Sequence, residues 1–274
     1  MSQTIPVELG DVQETLLIPL LARAVETEKP NGMLSDPKAV EIVTALDYDF
    51  DKWRGSSQLA GACVRTLVFD AEVRRFLEAH PSGTVIEIGA GLNTRFERVD
   101  NGTAHFVDLD LPDSTALRRR FFDDTDRRTI VAGSILETDW HDTVASQPGP
   151  YCFVSEAVLI YLEAEAIYAA LAVLKQRFPG SLLITDTTSS RLISRLKKSE
   201  LIKHLPSDAW FRWAVDDPKT LEDHGLTVEA ILSYADAPEE LIPKMPLQYR
   251  LLMRYARWMI RLLVRGYNIN RLRL

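Results

Sequence analysis

Between residues 84 and 185 the chain alternates short apolar runs with segments of helical spacing. Thr84–Ile88, Ala104–Asp108, Thr129–Ala132, Tyr151–Ser155 and Ser181–Thr185 are rich in β-branched and apolar side chains. Helical segments near 113–123 and 163–177 lie among them. Near-continuous apolar strands alternating with helices predict βαβ units and a parallel sheet covered on both faces. Residues 1–80 read as helices instead. Leu16, Leu17, Leu20, Leu21 and Ala24 recur at helical spacing, with Pro19 starting or kinking the segment. Asn31-Gly32 is a turn, and Asp36-Pro37 reads as an N-cap followed by proline at the first helical position. A third helix is expected from about Ser57 to Ala79, ended by His80-Pro81-Ser82-Gly83. After residue 190 the alternation weakens. A stretch with Trp210, Phe211 and Trp213 precedes a predicted helix over Asp217–His224. Leu226–Tyr234 reads as a sixth strand, Leu247–Arg265 as one long helix and Tyr267–Leu274 as a last strand. No linker separates two domains.

With 46% hydrophobic and 26% charged residues, the 274-residue chain is ordinary globular material and not a disordered or low-complexity one. A net charge of −7 argues against a general nucleic-acid binder. The charge is unevenly spread. Residues 241–274 carry eight basic residues and no acid, so the preceding 240 residues stand at −15. Arg250, Arg254, Arg257, Arg261 and Arg265 repeat at helical spacing. Such a stripe either lies on an anionic membrane or acidic carrier protein, or packs with its arginines paired to the acidic body. The packed arrangement is the expectation, without membrane contact. Cys63 and Cys152 are expected as buried thiols in a reducing compartment. The first thirty residues are acid-rich and their first basic residue is Arg23, unlike a secretory signal. A soluble, cytoplasmic protein is expected. No His/Cys spacing suggests a metal. Oligomeric state is open.

The strongest local signal is Val85-Ile86-Glu87-Ile88-Gly89-Ala90-Gly91-Leu92-Asn93-Thr94-Arg95. A strand must turn tightly into a helix while its backbone approaches a ligand, and glycine permits both. The third glycine of the dinucleotide pattern is Thr94 here, which counts against NAD. Glu87 is also a poor neighbour for a pyrophosphate. It suits a ligand with a cationic amine and no phosphate, such as S-adenosylmethionine. Asp108 and Asp110 follow Gly89 by 19 and 21 residues, where an acid can take both ribose hydroxyls. One of the pair is expected there and the other as a cap on the next helix. Glu156 and Tyr161 follow the fourth strand and should face the site across the switch point. Glu156 has the alternative of pairing with a structural arginine.

With these residues laid out, the chain resembles the leucine carboxyl methyltransferase family of class I S-adenosylmethionine-dependent enzymes, in the branch typified by the tetracenomycin polyketide carboxyl O-methyltransferase. The resemblance runs through Gln13–Leu20 with Arg23-Ala24, Asp36, Tyr48-Asp49-Phe50 and Arg65…Asp70. It continues through Gly89–Arg95, Asp108–Pro112, Glu156…Tyr161-Leu162 and Pro179-Gly180-Ser181. It implies a Rossmann-like α/β fold with a seven-stranded, mostly parallel sheet whose last strand is antiparallel, between the fifth and sixth. The expected parts are a helical extension (1–83), a cofactor-binding core (84–190), a cap with the sixth strand (191–245), and a C-terminal helix and strand (246–274). The resemblance further implies that Arg65 holds the methionine carboxylate, that Gly89 and Gly91 line the methionine and ribose, and that Asp110 takes the ribose hydroxyls. Glu156 would lie by the cofactor. Two departures stand out. The family's usual Asp in the glycine turn is Asn93, and its Asp-Leu beside the adenine is Ser134-Ile135.

The implied activity is O-methylation of a small-molecule carboxylic acid, such as a polyketide-type acid. A phenol, an alcohol or a peptide carboxyl are the alternatives. A carboxylate is ionised at pH 7 and needs no general base, whereas a phenol does. None of the five histidines falls in a recognisable pair with a carboxylate; His204 and His224 lie nearest the expected cap. Trp210, Phe211 and Trp213 either stack on a flat substrate or anchor the cap.

Overall fold

The computed structural model describes residues 4–10, 12–56, 58–196, 211–245, 247–263 and 266–274. Three helices, α1 (Leu17–Thr27), α2 (Pro37–Ala45) and α3 (Gln58–Ala79), open the chain. A two-residue parallel pair, β1 (Ile5–Pro6) with β2 (Leu46–Asp47), clips their ends together and was not expected. Pro19 sits in the first turn of α1, where a missing N–H costs nothing. Asp36 caps α2 by accepting the Ala39 N–H, with Pro37 next.

The α/β layer follows as β3 (Thr84–Ile88), α4 (Arg95–Val99), β4 (His105–Asp110), α5 (Pro112–Arg118), β5 (Arg128–Ala132), α6 (His141–Ala145), β6 (Tyr151–Ser155), α7 (Ala164–Arg177) and β7 (Leu182–Thr188). Then come α8 (Ser190–Leu196), β8 (Thr227–Leu232), α9 (Leu247–Tyr255), α10 (Arg257–Leu263) and β9 (Tyr267–Arg273). The sheet order is β5-β4-β3-β6-β7-β9-β8. The first five strands pair in parallel, and β9 runs antiparallel to both neighbours. This is the Rossmann-like class I methyltransferase arrangement that the resemblance implied.

Period-2 alternation divides the strands between two cores. Val85, Phe106, Cys152, Val154 and Ile184 pack toward α1, α2 and α3. Ile86, Val107, Phe153 and Leu183 pack toward α6 and α7. Both cysteines are buried free thiols. Among the described residues no helix is long and apolar enough to cross a membrane.

Three elements differ from expectation. The helix after β4 ends at Arg118 because Asp123 and Asp124 are held by Arg128 and Ile130, which draws the chain off toward β5. Pro218–His224 is a 3-10 helix. Thr220 returns both its N–H and its hydroxyl to the Asp217 carbonyl, tightening the turn, and Gly225 closes it at φ 80°. The single C-terminal helix is two, broken at Ala256. There the Arg257 side chain takes the Met253 carbonyl (3.0 Å) that the Arg257 N–H would take in an unbroken helix. Residues 264–265, its expected end, lie outside the described residues.

Candidate functional site

Strand β3 is the switch point, with β4 on one side and β6 on the other. Beyond the carboxyl ends of these strands lies a cavity of about 740 Å³. Gly89 (φ 69°) and Gly91 (φ 45°) form its floor in a conformation that disfavours side chains. The Gly89 and Ala90 N–H groups both donate to the Leu109 carbonyl, which fixes the turn to β4. A Cβ at Gly89 would collide with Val158 Cγ2. Gly89→Ala should therefore lower stability by about 2–4 kcal/mol, from left-handed backbone strain and overpacking together. Adding Val158→Ala should restore only the packing part, as thermal denaturation of the three proteins will show.

Arg65, on α3, lines the cavity. Its Nε donates to Glu156 (2.8 Å), and no described residue accepts from its two terminal nitrogens. An ion pair between Arg65 and Asp70 does not form, because Asp70 is taken by Arg95 and Arg98. Glu156 also lines the cavity and accepts from Arg65, Arg95 and the Thr66 hydroxyl. Both readings of Glu156 thus describe the same side chain, beside the cavity and paired to arginines. The two guanidiniums hold its carboxyl at about 2 despite the burial that opposes this. A lowered carboxylate contributes stability above its unfolded value near 4.5 and loses it as the pH falls through about 2. That contribution is about 3 kcal/mol. Wild-type melting temperature should fall below pH 4.5 more steeply than that of Glu156→Gln.

Glu87 and Asp108 do not line the cavity. Glu87 shares the Val85 face of β3, is nearly fully buried, and accepts from Arg95 (2.7 and 3.1 Å) and the Asn93 amide (2.9 Å). Asp108 pairs with Arg118 of α5 (2.6 Å) and does not cap that helix, whose N-cap residue is Leu111. Asp110, two residues on, is the last residue of β4, lies beyond the end of its pairing with β3 and does reach the cavity. It accepts the Gly91 N–H (2.6 Å) and the Leu111 N–H (2.7 Å), and burial pushes its carboxyl up. Ser134 and Ile135 line the cavity beyond β5. Ser114, also lining it, is 1% exposed and its hydroxyl has no partner among the described residues.

Tyr161 lines the cavity with Phe211 against it, ring centroids 5.3 Å apart. Trp213 is a core anchor, 1% exposed and bonded to Tyr168. Trp210 and His204 lie outside the described residues. His224 stacks on Tyr168 at 3.4 Å, and no described histidine lines the cavity.

Several functional groups escape the sequence reading. Arg95 bonds Asp70, Glu87 and Glu156 at once (2.6–2.7 Å). Arg23 joins Asp36 to the Leu92 carbonyl, and Arg98 joins Asp70 to Asn93 and Thr94, so the N-terminal helices are riveted to the glycine turn. Asp186, fully buried in β7, accepts from the Ala157 N–H (2.9 Å) and from the Tyr267 hydroxyl. Ala157 takes φ 56°, unusual for a residue with a side chain. Tyr267 and Tyr234 line the cavity beside it. The one available signal was an acid amid the threonines of an apolar strand.

The cavity therefore presents an unpaired guanidinium edge, a carboxylate two strands away, and a glycine floor between them. Comparison with known proteins agrees with this geometry. Residues 17–175 match the family model described as leucine carboxyl methyltransferase. The chain is 30% identical over 242 residues to the tetracenomycin polyketide synthesis O-methyltransferase TcmP of Streptomyces glaucescens, covering 87% of this chain and 88% of that one. It is 27% identical to the S-adenosyl-L-methionine-dependent methyltransferase dpfgK of Gibberella zeae, covering 80% of each. A solved DUF574 family protein from Streptomyces avermitilis shares the fold at TM-score 0.55 and 14% identity, over 92% of this chain and 96% of that one.

Proposed function

The chain belongs to the leucine carboxyl methyltransferase family and is an S-adenosylmethionine-dependent methyltransferase, and from that premise we propose that it methylates a carboxylate oxygen of a small, largely apolar acid. The observation that carries the reading is the cavity wall formed by Arg65, Gly89, Gly91 and Asp110. Arg65 offers two parallel N–H donors to the methionine carboxylate, a fork that lysine cannot reproduce. Asp110 accepts from the ribose hydroxyls, and Ser134 and Ile135 border the adenine. Gly89 and Gly91 let the backbone approach. The buried, unpartnered Ser114 hydroxyl supplies a further polar contact. When bound, S-adenosylmethionine supplies a methyl group already activated on a sulfonium.

The chain's own residues then have to align the acceptor and exclude water. Tyr161, Phe211, Tyr234 and Tyr267 form the aromatic part of the lining, suited to a flat apolar acid. Glu156, held near 2, takes no proton at neutral pH and fixes Arg65 instead. A carboxylate acceptor needs no proton removed.

One observation favours a second reading. Burial raises the Asp186 carboxyl, and Tyr267 donates its hydroxyl to it at the cavity wall. That pair could accept a proton from a phenol or alcohol. The pH–rate profile with saturating cofactor separates the readings. The carboxylate reading predicts a flat profile above about pH 6, since a carboxylic acid is ionised there. A rate that climbs through pH 7–9 and loses that climb in Tyr267→Phe would establish the phenol or alcohol reading instead.

A further inference from the structure

The basic C-terminal stripe follows the expected packed arrangement in part: Arg257 is paired with Glu239, Arg250 and Arg254 have no carboxylate partner among the described residues, and the side chains of Arg261 and Arg265 lie outside the described ones. Helices α9 and α10 bury Met253 and Ile260 against the body, where they meet the turns at Tyr234–Asp236 and Glu239–Lys244. Their other side is left open. Leu247 (61% exposed), Leu251 (49%) and Tyr255 (73%) follow at four-residue intervals along one face of α9, and Trp258 (67%) continues the exposed apolar surface on α10. Arg250 and Arg254 each precede a member of that row by one position and flank it. Neither has a carboxylate partner among the described residues, whereas Arg257 is paired with Glu239.

We propose that this α9–α10 surface docks on an anionic lipid bilayer. Exposed Leu, Tyr and Trp suit the boundary between acyl chains and headgroups, and the flanking guanidiniums suit lipid phosphates and carboxylates. Charge complementarity sets the orientation. Residues 241–274 hold eight basic residues and no acid against −15 for the rest of the chain; Arg250 and Arg254 lie on this surface without a carboxylate partner among the described residues, whereas Arg271 and Arg273 belong to β9 and pair with Glu72 and Glu229. An anionic surface attracts this one face and repels the others. An acidic protein would match the charge equally, and it is the exposed row of Leu247, Leu251, Tyr255 and Trp258 between the guanidiniums that favours a lipid boundary. Helix α10, which carries part of this face, packs by its buried side on the turn bearing Tyr234, which lines the cavity, so docking would bring the bilayer within one helix layer of the substrate end.

The test is co-sedimentation of the full chain with vesicles of phosphatidylcholine alone and of phosphatidylcholine mixed with phosphatidylserine. Binding to the mixed vesicles is expected to be at least roughly tenfold tighter and to weaken with salt. Arg250→Glu with Arg254→Glu should lower it roughly thirtyfold or more. Trp258→Glu with Leu251→Glu should abolish it. Both variants should keep the wild-type melting temperature and S-adenosylhomocysteine affinity, so failure to bind lipid is separable from failure of the methyltransferase reading. Binding to neither vesicle, equal binding to both, or binding that survives both variants would overturn the proposal. So would a dimer in solution that Trp258→Glu dissociates without any vesicle binding, which would make the surface a contact between copies of the chain.

Discussion

Arg95→Ala should cost the protein more stability than any other single change in the site. Arg95 is 2% exposed and bonds three carboxylates, Asp70, Glu87 and Glu156. Removing one partner of a buried ion pair costs about 3–5 kcal/mol, because the other charge stays buried. Here Glu87 loses the only guanidinium that it meets among the described residues. Native proteins have about 5–15 kcal/mol in total. The variant is expected to be largely insoluble, or to melt roughly 10–15 °C lower by calorimetry. Arg95→Lys should recover only part, since one ammonium cannot reach three carboxylates in a fixed fork. A melting temperature unchanged in Arg95→Ala would mean that the network is solvated and incidental.

The second large effect is on cofactor affinity. Arg65 lies at the cavity with Nε spent on Glu156 and its terminal nitrogens unpaired among the described residues. Losing a charged, partly buried contact costs about 2–5 kcal/mol, or roughly 30- to several-thousand-fold in affinity. Arg65→Ala should weaken S-adenosylhomocysteine binding by that factor, and Arg65→Lys should restore it only in part. A change within about twofold would place Arg65 among the exposed pairs, worth about 0–1 kcal/mol. Melting curves of the free proteins separate a lost ligand contact from an unpaired Glu156.

The sheet and glycine turn were legible because their signals are local. Apolar strands of five to seven residues, and a Gly89-x-Gly91 break after the first, each depend on a few neighbouring residues. The side-chain pairings were not legible, because they join distant positions. Arg65 meets Glu156 across 91 residues, and Tyr267 meets Asp186 across 81. Strand parity explains Glu87 and Asp108. Each shares its face with an apolar residue packed toward the N-terminal helices, Val85 and Phe106, and so points into that layer. There Arg95 and Arg118 neutralise them. Asp110, on the same face, is the last residue of β4 and lies beyond the end of its pairing with β3, so it reaches the cavity. The break at Ala256 was invisible for a similar reason, since helical periodicity does not register one arginine side chain competing for a backbone carbonyl.

The central claim is that this cavity holds S-adenosylmethionine through Arg65 and Asp110. Calorimetric titration of S-adenosylhomocysteine and, separately, of NAD into the wild type and Asp110→Ala tests it most directly. The account predicts one-to-one binding of S-adenosylhomocysteine to the wild type, at least tenfold weaker binding to Asp110→Ala through loss of a charged hydrogen bond worth about 1.5–3 kcal/mol, and no heat with NAD. Heat with NAD alone, no heat with either ligand, or equal S-adenosylhomocysteine affinity in both proteins would contradict it.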